Sequence, residues 1–271
     1  MPELPEVETV MRALAARLAG RRFTAVEQRR ADIRFPLPDG LRGRLEGRTL
    51  LRFARRAKYI QAHLDDGQAL LLHLGMSGRL LLDGEPRGPH EHLTFGFDDG
   101  SVLRFVDPRR FGMLDLVASE GIEGHRWLAH LGHEPLGNAF NGPALLAGLE
   151  GRRTAVKLAL MDQRLVVGVG NIYASESLHR AGIAPSRLAL SIGPEAADRL
   201  VVAIRDVLTD AIGAGGSSLR DYVQSNGELG NFQNDFRVYD RAGQPCRSCG
   251  RPIERMVQGG RATYFCGHCQ R

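Results

Sequence analysis

Apolar residues recur every three or four positions at the start of the chain, at Val7, Val10, Met11, Leu14 and Leu18. That period predicts an amphipathic helix, opened by Glu3, Pro5 and Glu6 and stopped at Gly20. From about residue 22 to residue 116 the period shortens. Tyr59–Leu64 runs into Asp65-Asp66-Gly67, Ala69–Leu74 follows, Arg79–Leu82 runs into Asp83-Gly84, and Leu93–Phe97 into Asp98-Asp99-Gly100. Short runs closed by Asp-Gly turns predict antiparallel sheet, in a sandwich or a barrel. Beyond Pro135 the helical period returns. A short helix is expected at 171–181, closed by Gly182 and Pro185. Pro194 opens a longer one with Leu200, Val201, Ile204, Leu208 and Ile212 on one face, stopped at Gly213. The stretch Gly213–Asp235 is rich in Gly, Ser and Asn and reads either as a linker or as a lid or binding loop. A cysteine-rich tail follows, and no internal repeat is visible.

Composition narrows the class. The 271 residues suffice for one large domain or two ordinary ones, and 43% hydrophobic with 25% charged residues is usual for a soluble globular protein. No run reaches the ~18 apolar residues of a spanning helix. The opening MPELPEVE is acidic and proline-rich, unlike a secretory leader. A cytoplasmic protein without a membrane partner is expected. The net charge of +5 suits a polyanionic partner. Its distribution says more: residues 241–271 hold six arginines against one acid, Glu254, which leaves +5 there. Arg52/Arg55/Arg56/Lys58, Arg109/Arg110 and Arg152/Arg153/Lys157 form further basic clusters. Each alone is ordinary surface charge, but together they fit a surface that follows phosphates. Of 36 basic residues only Lys58 and Lys157 are lysines. Either they survived drift, or those positions need an amine able to lose a proton or a compact charge.

All four cysteines fall in one pattern, Cys246-x2-Cys249-x16-Cys266-x2-Cys269. Paired CxxC knuckles read as a tetrahedral four-thiolate zinc site, structural because no ligand position is left for water. Two disulfides are the alternative, disfavoured in a reducing compartment. Four thiolates and Zn²⁺ carry a formal −2, so the tail remains basic at about +3 on metallation. Between the knuckles, Arg255 and Arg261 would be offered to phosphates by a short metal-held hairpin.

At the other end, Pro2 follows the initiator methionine. Methionine removal would leave a secondary amine with a pKa near ~8, lowered by the helix that follows. Such an amine can attack a sugar or carbonyl carbon and give an iminium intermediate, with Glu3 and Glu6 beside it for proton transfer. The plainer reading of the same residues is an ordinary Met-Pro start with acidic helix capping.

Longer motifs decide between these readings. Pro2-Glu3-Leu4-Pro5-Glu6-Val7-Glu8-Thr9 resembles the start of the bacterial formamidopyrimidine-DNA glycosylase family. So do Arg55-Arg56-Ala57-Lys58-Tyr59, His73-Leu74-Gly75-Met76-Ser77-Gly78 and Asp107-Pro108-Arg109-Arg110-Phe111-Gly112. Leu165 to Glu176 (LVVGVGNIYASE) and Arg261 to Cys266 (RATYFC) continue the match, so the resemblance covers essentially the whole chain. It implies an α+β fold: an N-terminal antiparallel β-sandwich flanked by helices, then a C-terminal helical domain with a helix–two-turn–helix and a four-cysteine zinc finger. The divisions expected are 1–133, 134–235 and 236–271, with DNA in the cleft between. By the same resemblance Pro2 is the nucleophile that attacks C1′ of the damaged nucleotide. Glu3 is the acid that assists sugar-ring opening, and Glu6 supports the site. Lys58 serves β-elimination, and Arg261 grips phosphate for δ-elimination. Met76, Arg109 and Phe111 match the wedge that fills the space left by an extruded base. Asn171, at a helix start after Gly168-Val169-Gly170, suits a phosphate, and His90, His92, Arg152 and Lys157 match further DNA contacts.

The expected protein is thus a bifunctional glycosylase and AP lyase acting on oxidised purines in damaged double-stranded DNA. One structural Zn²⁺, no organic cofactor, a monomeric state and a place in the bacterial cytosol or nucleoid go with that reading. Two rivals remain: an endonuclease VIII-like enzyme for oxidised pyrimidines, and a zinc-finger DNA-binding protein without catalysis. A zinc hydrolase would need an open His/Asp/Glu site, which the sequence does not offer.

Overall fold

The computed structural model describes residues 2–85, 88–218, 225 and 229–271. The centre of the Gly213–Asp235 segment, for which a binding loop is expected, lies outside them. The chain divides into two compact units, Met1–Ala129 with Ala214–Asn231, and His130–Gly213 with Phe232–Arg271.

In the first unit, α1 (Leu4–Leu18) buries Val7, Val10, Leu14 and Leu18 of the expected stripe, with Met11 partly buried and Leu4 added. Glu6 Oε2 accepts the Glu3 N–H at 2.8 Å, so the helix start is closed by its own acidic residues. The strands are β1 (Phe23–Gln28), β2 (Leu50–Arg56), β3 (Tyr59–Leu64), β4 (Gln68–His73), β5 (Arg79–Leu82), β6 (Glu91–Phe97), β7 (Val102–Val106) and β8 (Met113–Ala118), with a one-turn helix α2 (Leu41–Leu45) between the first two. They form two antiparallel sheets, in the orders β1-β6-β7-β5 and β2-β3-β4-β8. One core joins both sheets to α1, including Phe23, Phe95 and Phe105 from one sheet and Ile60, Leu70, Leu72 and Leu114 from the other. Of the two architectures left open, the unit is therefore a sandwich.

In the second unit, α3 (Gly142–Leu149) and α4 (Val156–Leu160) precede α5 (Asn171–Ala181) and α6 (Pro194–Gly213). The last two have the bounds expected. Gly182 closes α5 with φ +71°, a left-handed position that glycine takes without steric cost. The first two carry too few apolar repeats to stand out. A hairpin of β9 (Glu254–Gln258) and β10 (Arg261–Phe265) follows, turning at Gly259-Gly260 with both φ positive, which a two-residue type I′ turn requires. No helix among the described residues is long and apolar enough to cross a membrane.

Candidate functional site

Pro2 is buried immediately before α1. Glu3 and Glu6 are buried with it, at 3% and 2% exposure. While Glu6 Oε2 holds the Glu3 N–H, its Oε1 accepts the N–H of Ser217 at 2.8 Å and its hydroxyl at 3.0 Å. Glu6 therefore ties the start of the chain to the segment after α6, and both its oxygens are occupied in doing so.

Lys58 sits at the tip of the β2–β3 hairpin. Arg56 pairs with Tyr59, so Ala57 and Lys58 form a two-residue turn, and Ala57 is left-handed at φ +54°. A non-glycine residue there costs about 1–2 kcal/mol, which the surroundings must offset. Arg55 does this locally: one nitrogen donates to the Ala57 carbonyl at 2.9 Å and Nε donates to Glu8 of α1 at 2.6 Å. Burial works against the Glu8 carboxylate, yet the Arg55 and Arg12 guanidiniums outweigh it and hold its pKa below the usual value. The helix that follows Pro2 and the turn that carries Lys58 are thereby clamped together.

Beside that turn, His73 at the end of β4 packs on Tyr59 with ring centroids 4.7 Å apart. Its Nδ1 accepts the Gly75 N–H at 3.0 Å. Burial, with Lys58 and Arg34 nearby, pushes its pKa down to about 3. His73 is therefore a neutral ring whose Nε2–H is the donor left to offer.

The loops bearing Met76 and Arg109–Phe111 meet. Gly75 has φ +62°, and a Cβ there would collide with the Phe111 carbonyl group, so only glycine permits the approach. Asp107, fully buried, accepts the Ser77 hydroxyl at 2.6 Å and the Gly112 N–H at 2.7 Å, while Ser77 Oγ accepts the Arg109 N–H at 3.2 Å. Phe111 is left 41% exposed, with the Arg109 guanidinium 5.0 Å from its ring centre. His90 is exposed at the end of a short 3-10 turn. His92, expected at the DNA surface, is instead buried, its Nε2 2.8 Å from the Asp107 carbonyl oxygen. It braces the Arg109 loop from within.

In the second unit, Asn171 is the first residue of α5, as expected, and donates to the Ala262 carbonyl at 2.9 Å. Lys157, expected to reach phosphate, has no exposed surface. Its ammonium donates to Asn171 Oδ1 at 2.6 Å, Thr263 Oγ1 at 2.7 Å and the Ala262 carbonyl at 3.3 Å. A buried ammonium requires such acceptors, and here they fix β10 against the start of α5. Arg261, one residue before that anchor, is exposed at the hairpin turn. Arg152 donates to Asp162 at 2.8 Å, and Arg164 and Arg152 together hold that carboxyl well below the usual range.

The four cysteine sulfurs lie within 4.8 Å of one another, with Cys249–Cys266 at 3.5 Å and Cys246–Cys269 at 3.9 Å. Tetrahedral thiolates at ~2.3 Å from zinc would stand about 3.8 Å apart, so the set fits such an ion. Burial opposes ionisation of Cys246, but the Ser248 N–H and His179 bring it down to about 5. Burial and the neighbouring thiols push Cys269 up to about 12. A divalent cation is what would let all four ionise together.

Three family models match in succession: the formamidopyrimidine-DNA glycosylase N-terminal domain over residues 1–114, its H2TH domain over 131–223, and the zinc finger found in FPG and IleRS over 243–271. The formamidopyrimidine-DNA glycosylase of Acidiphilium cryptum is 57% identical over the full length of both chains. The chain belongs to the formamidopyrimidine-DNA glycosylase family. Another member, from Cereibacter sphaeroides, is 53% identical over the full length of both. Among solved structures, the MutM (Fpg) protein of Thermus thermophilus superposes with a TM-score of 0.89 at 42% identity, covering 99% of this chain and 98% of that one. A Lactococcus lactis Fpg mutant in complex with Fapy-dG-containing DNA gives 0.91 at 33% identity over the whole of both chains.

Several supports of this glycosylase-family site lie in motifs the sequence displays, yet their work is visible only in three dimensions. Asp107, Ser77 and His73 are of this kind. Glu176, the last residue of the LVVGVGNIYASE motif, is another, whereas Tyr239 lies outside every motif. Glu176 on α5 accepts the N–H groups of Arg237, Val238 and Tyr239 at 2.8, 3.0 and 2.8 Å, and Tyr239 Oη lies 3.4 Å from Asn171 Nδ2.

Proposed function

We propose that this chain is a bifunctional glycosylase and AP lyase of base-excision repair. It would release oxidised purines, 8-oxoguanine and formamidopyrimidines, from duplex DNA and cut the strand by β,δ-elimination. The observation that carries the reading is the buried Pro2 with Glu3 at the head of α1, clamped through Glu8 and Arg55 to the turn that bears Lys58.

The chemistry follows from those groups. The Pro2 nitrogen, freed by methionine removal, bonds to C1′ as the C1′–base bond breaks and the base leaves with a proton. Glu3 protonates the ring oxygen, the sugar opens, and an iminium joins Pro2 to C1′. Loss of a C2′ proton expels the 3′ phosphate, with Lys58 serving that step. A second elimination expels the 5′ phosphate, gripped by Arg261, and water releases the enzyme. Glu6 positions the N-terminus. Met76, Arg109 and Phe111 occupy the duplex where the base has left, a step that costs a few kcal/mol. Asn171 and His90 contact the backbone. The second unit acts as a helical segment followed by a finger in which Cys246, Cys249, Cys266 and Cys269 hold one zinc ion. When bound, the ion would offset half of the thiolate charge and fix the hairpin that presents Arg261; it takes no part in bond breaking. The chain acts as a monomer on DNA in the bacterial cytosol, without an organic cofactor.

Borohydride reduction in the presence of an 8-oxoguanine:cytosine duplex should trap the chain covalently, with the adduct mapping to Pro2. An adduct on another residue, or full activity with the N-terminal amine blocked, would overturn the mechanism. Stronger cutting of thymine glycol duplexes than of 8-oxoguanine duplexes would move the substrate to oxidised pyrimidines.

A further inference from the structure

His179 lies on the buried side of α5, 8% exposed, with Nε2 3.7 Å from Cys246 Sγ. It stands one turn beyond Glu176, which receives the three N–H groups of residues 237–239. Residues three apart share a helix face, so one polar strip on α5 serves both the turn leading into the finger and the finger's first cysteine. The chain around the cluster is also fastened to this end of α5. Arg271 N–H donates to the Gly182 carbonyl at 3.0 Å, and Gln270 Nε2 to the Ile183 carbonyl at 2.9 Å. A metal-bound thiolate has no proton to give. At 3.7 Å the hydrogen between the two atoms must therefore be carried by the imidazole, as Nε2–H.

We infer that His179 is a positioning residue of the metal centre, whose Nε2–H donates to the Cys246 thiolate and retains the ion in the four-cysteine cluster. The inference rests on the reading that these cysteines hold zinc. A hydrogen bond to a metal-bound thiolate draws charge from the sulfur and fixes its direction, so the ligand is less readily protonated and lost. Outer partners of this kind typically change metal affinity by about 10- to 100-fold. A His179 that merely filled space would be replaced without effect by a ring of similar volume.

The test uses the full, zinc-loaded chain. Zinc content is first measured by mass spectrometry; a chain purified without zinc would defeat the zinc reading and this inference with it. The rate of zinc transfer to a chromogenic chelator is then compared for wild type, H179F and H179Q. Phenylalanine keeps the bulk and removes the donor, while glutamine offers an N–H at similar reach. Transfer from H179F should be at least about tenfold faster than from wild type, and H179Q should restore retention. Equal rates for H179F and wild type would overturn the inference, as would H179Q losing zinc as fast as H179F. Independently of any variant, the ¹⁵N shifts of the wild-type ring should show Nε2 protonated. An unprotonated Nε2 would also refute it.

Discussion

At the scale of single residues, the hydrogen-bond partners a buried side chain has inside the fold show which groups hold others in place. Lys157 and Lys58 are the only lysines, and both are buried, at 0% and 6% exposure. Lys157 is enclosed by three oxygen acceptors, so Lys157→Met should leave Asn171 and Thr263 without their partner and cost about 2–4 kcal/mol. Chemical denaturation would read that loss. The salt dependence of DNA binding should keep its slope, whereas removal of a phosphate-contacting lysine would lower it by about 1. His73 makes a second case. Its folded pKa, about 3, lies below the ordinary 6.5, so the unfolded chain takes up this proton first. His73 thus contributes stability that is present above about pH 6.5 and lost as pH falls toward 3. In melting experiments across that window, wild type should lose more stability than His73→Asn. Parallel curves would show that His73 is not held neutral. Neither environment is legible in sequence, because a lysine or histidine in a motif looks the same whether its partners are water or buried carbonyls.

Among elements, the two meeting loops are constrained by close backbone approach at Gly75 and by the Asp107 and Ser77 hydrogen bonds. Both were visible as glycine- and proline-rich breaks between strands, since turn chemistry is local. Their contact was not visible, because Gly75 and Phe111 are far apart in sequence and approach only through the pairing of β4 with β8. Gly75→Ala adds one methyl group at a left-handed position against the Phe111 carbonyl. The two loops must then part. Excision from duplex DNA should fall by up to about 100-fold, the effect of misplacing a positioning group by about 1 Å. Cleavage of a preformed abasic site, which needs no base release, should fall less. Equal losses on both substrates would mean that the loops do more than fill the stack. The helices α1 and α6 were predictable to within a residue or so because each has a strong apolar stripe and a glycine stop, and α5 because Gly182 and Pro185 close it. The shorter α2, α3 and α4 were not, because one or two turns carry too few repeats to be told from a loop.

For the molecule as a whole, the two units should respond differently to removal of the ion. The finger's small core, Val238, Cys246, Ile253, Tyr264 and Cys266, includes two of the proposed ligands. Stripping the metal with a chelator should therefore unfold residues 243–271 and abolish DNA binding, while hydrogen exchange in the sandwich stays unchanged. Persistence of tight binding in the metal-free chain would contradict the role given to the finger. The sequence alone determined the elements with strong periods, the four-cysteine spacing, the basic tail and the family, since these depend on local propensity or on residues close along the chain. Tertiary structure decided which charges face outward and which are buried. It placed Lys157 and His92 inside, brought Asp107 under both loops, and set His179 against Cys246. Burial and partnership are properties of the packed chain, where the cost of an unpaired polar group selects its neighbours from anywhere in the sequence.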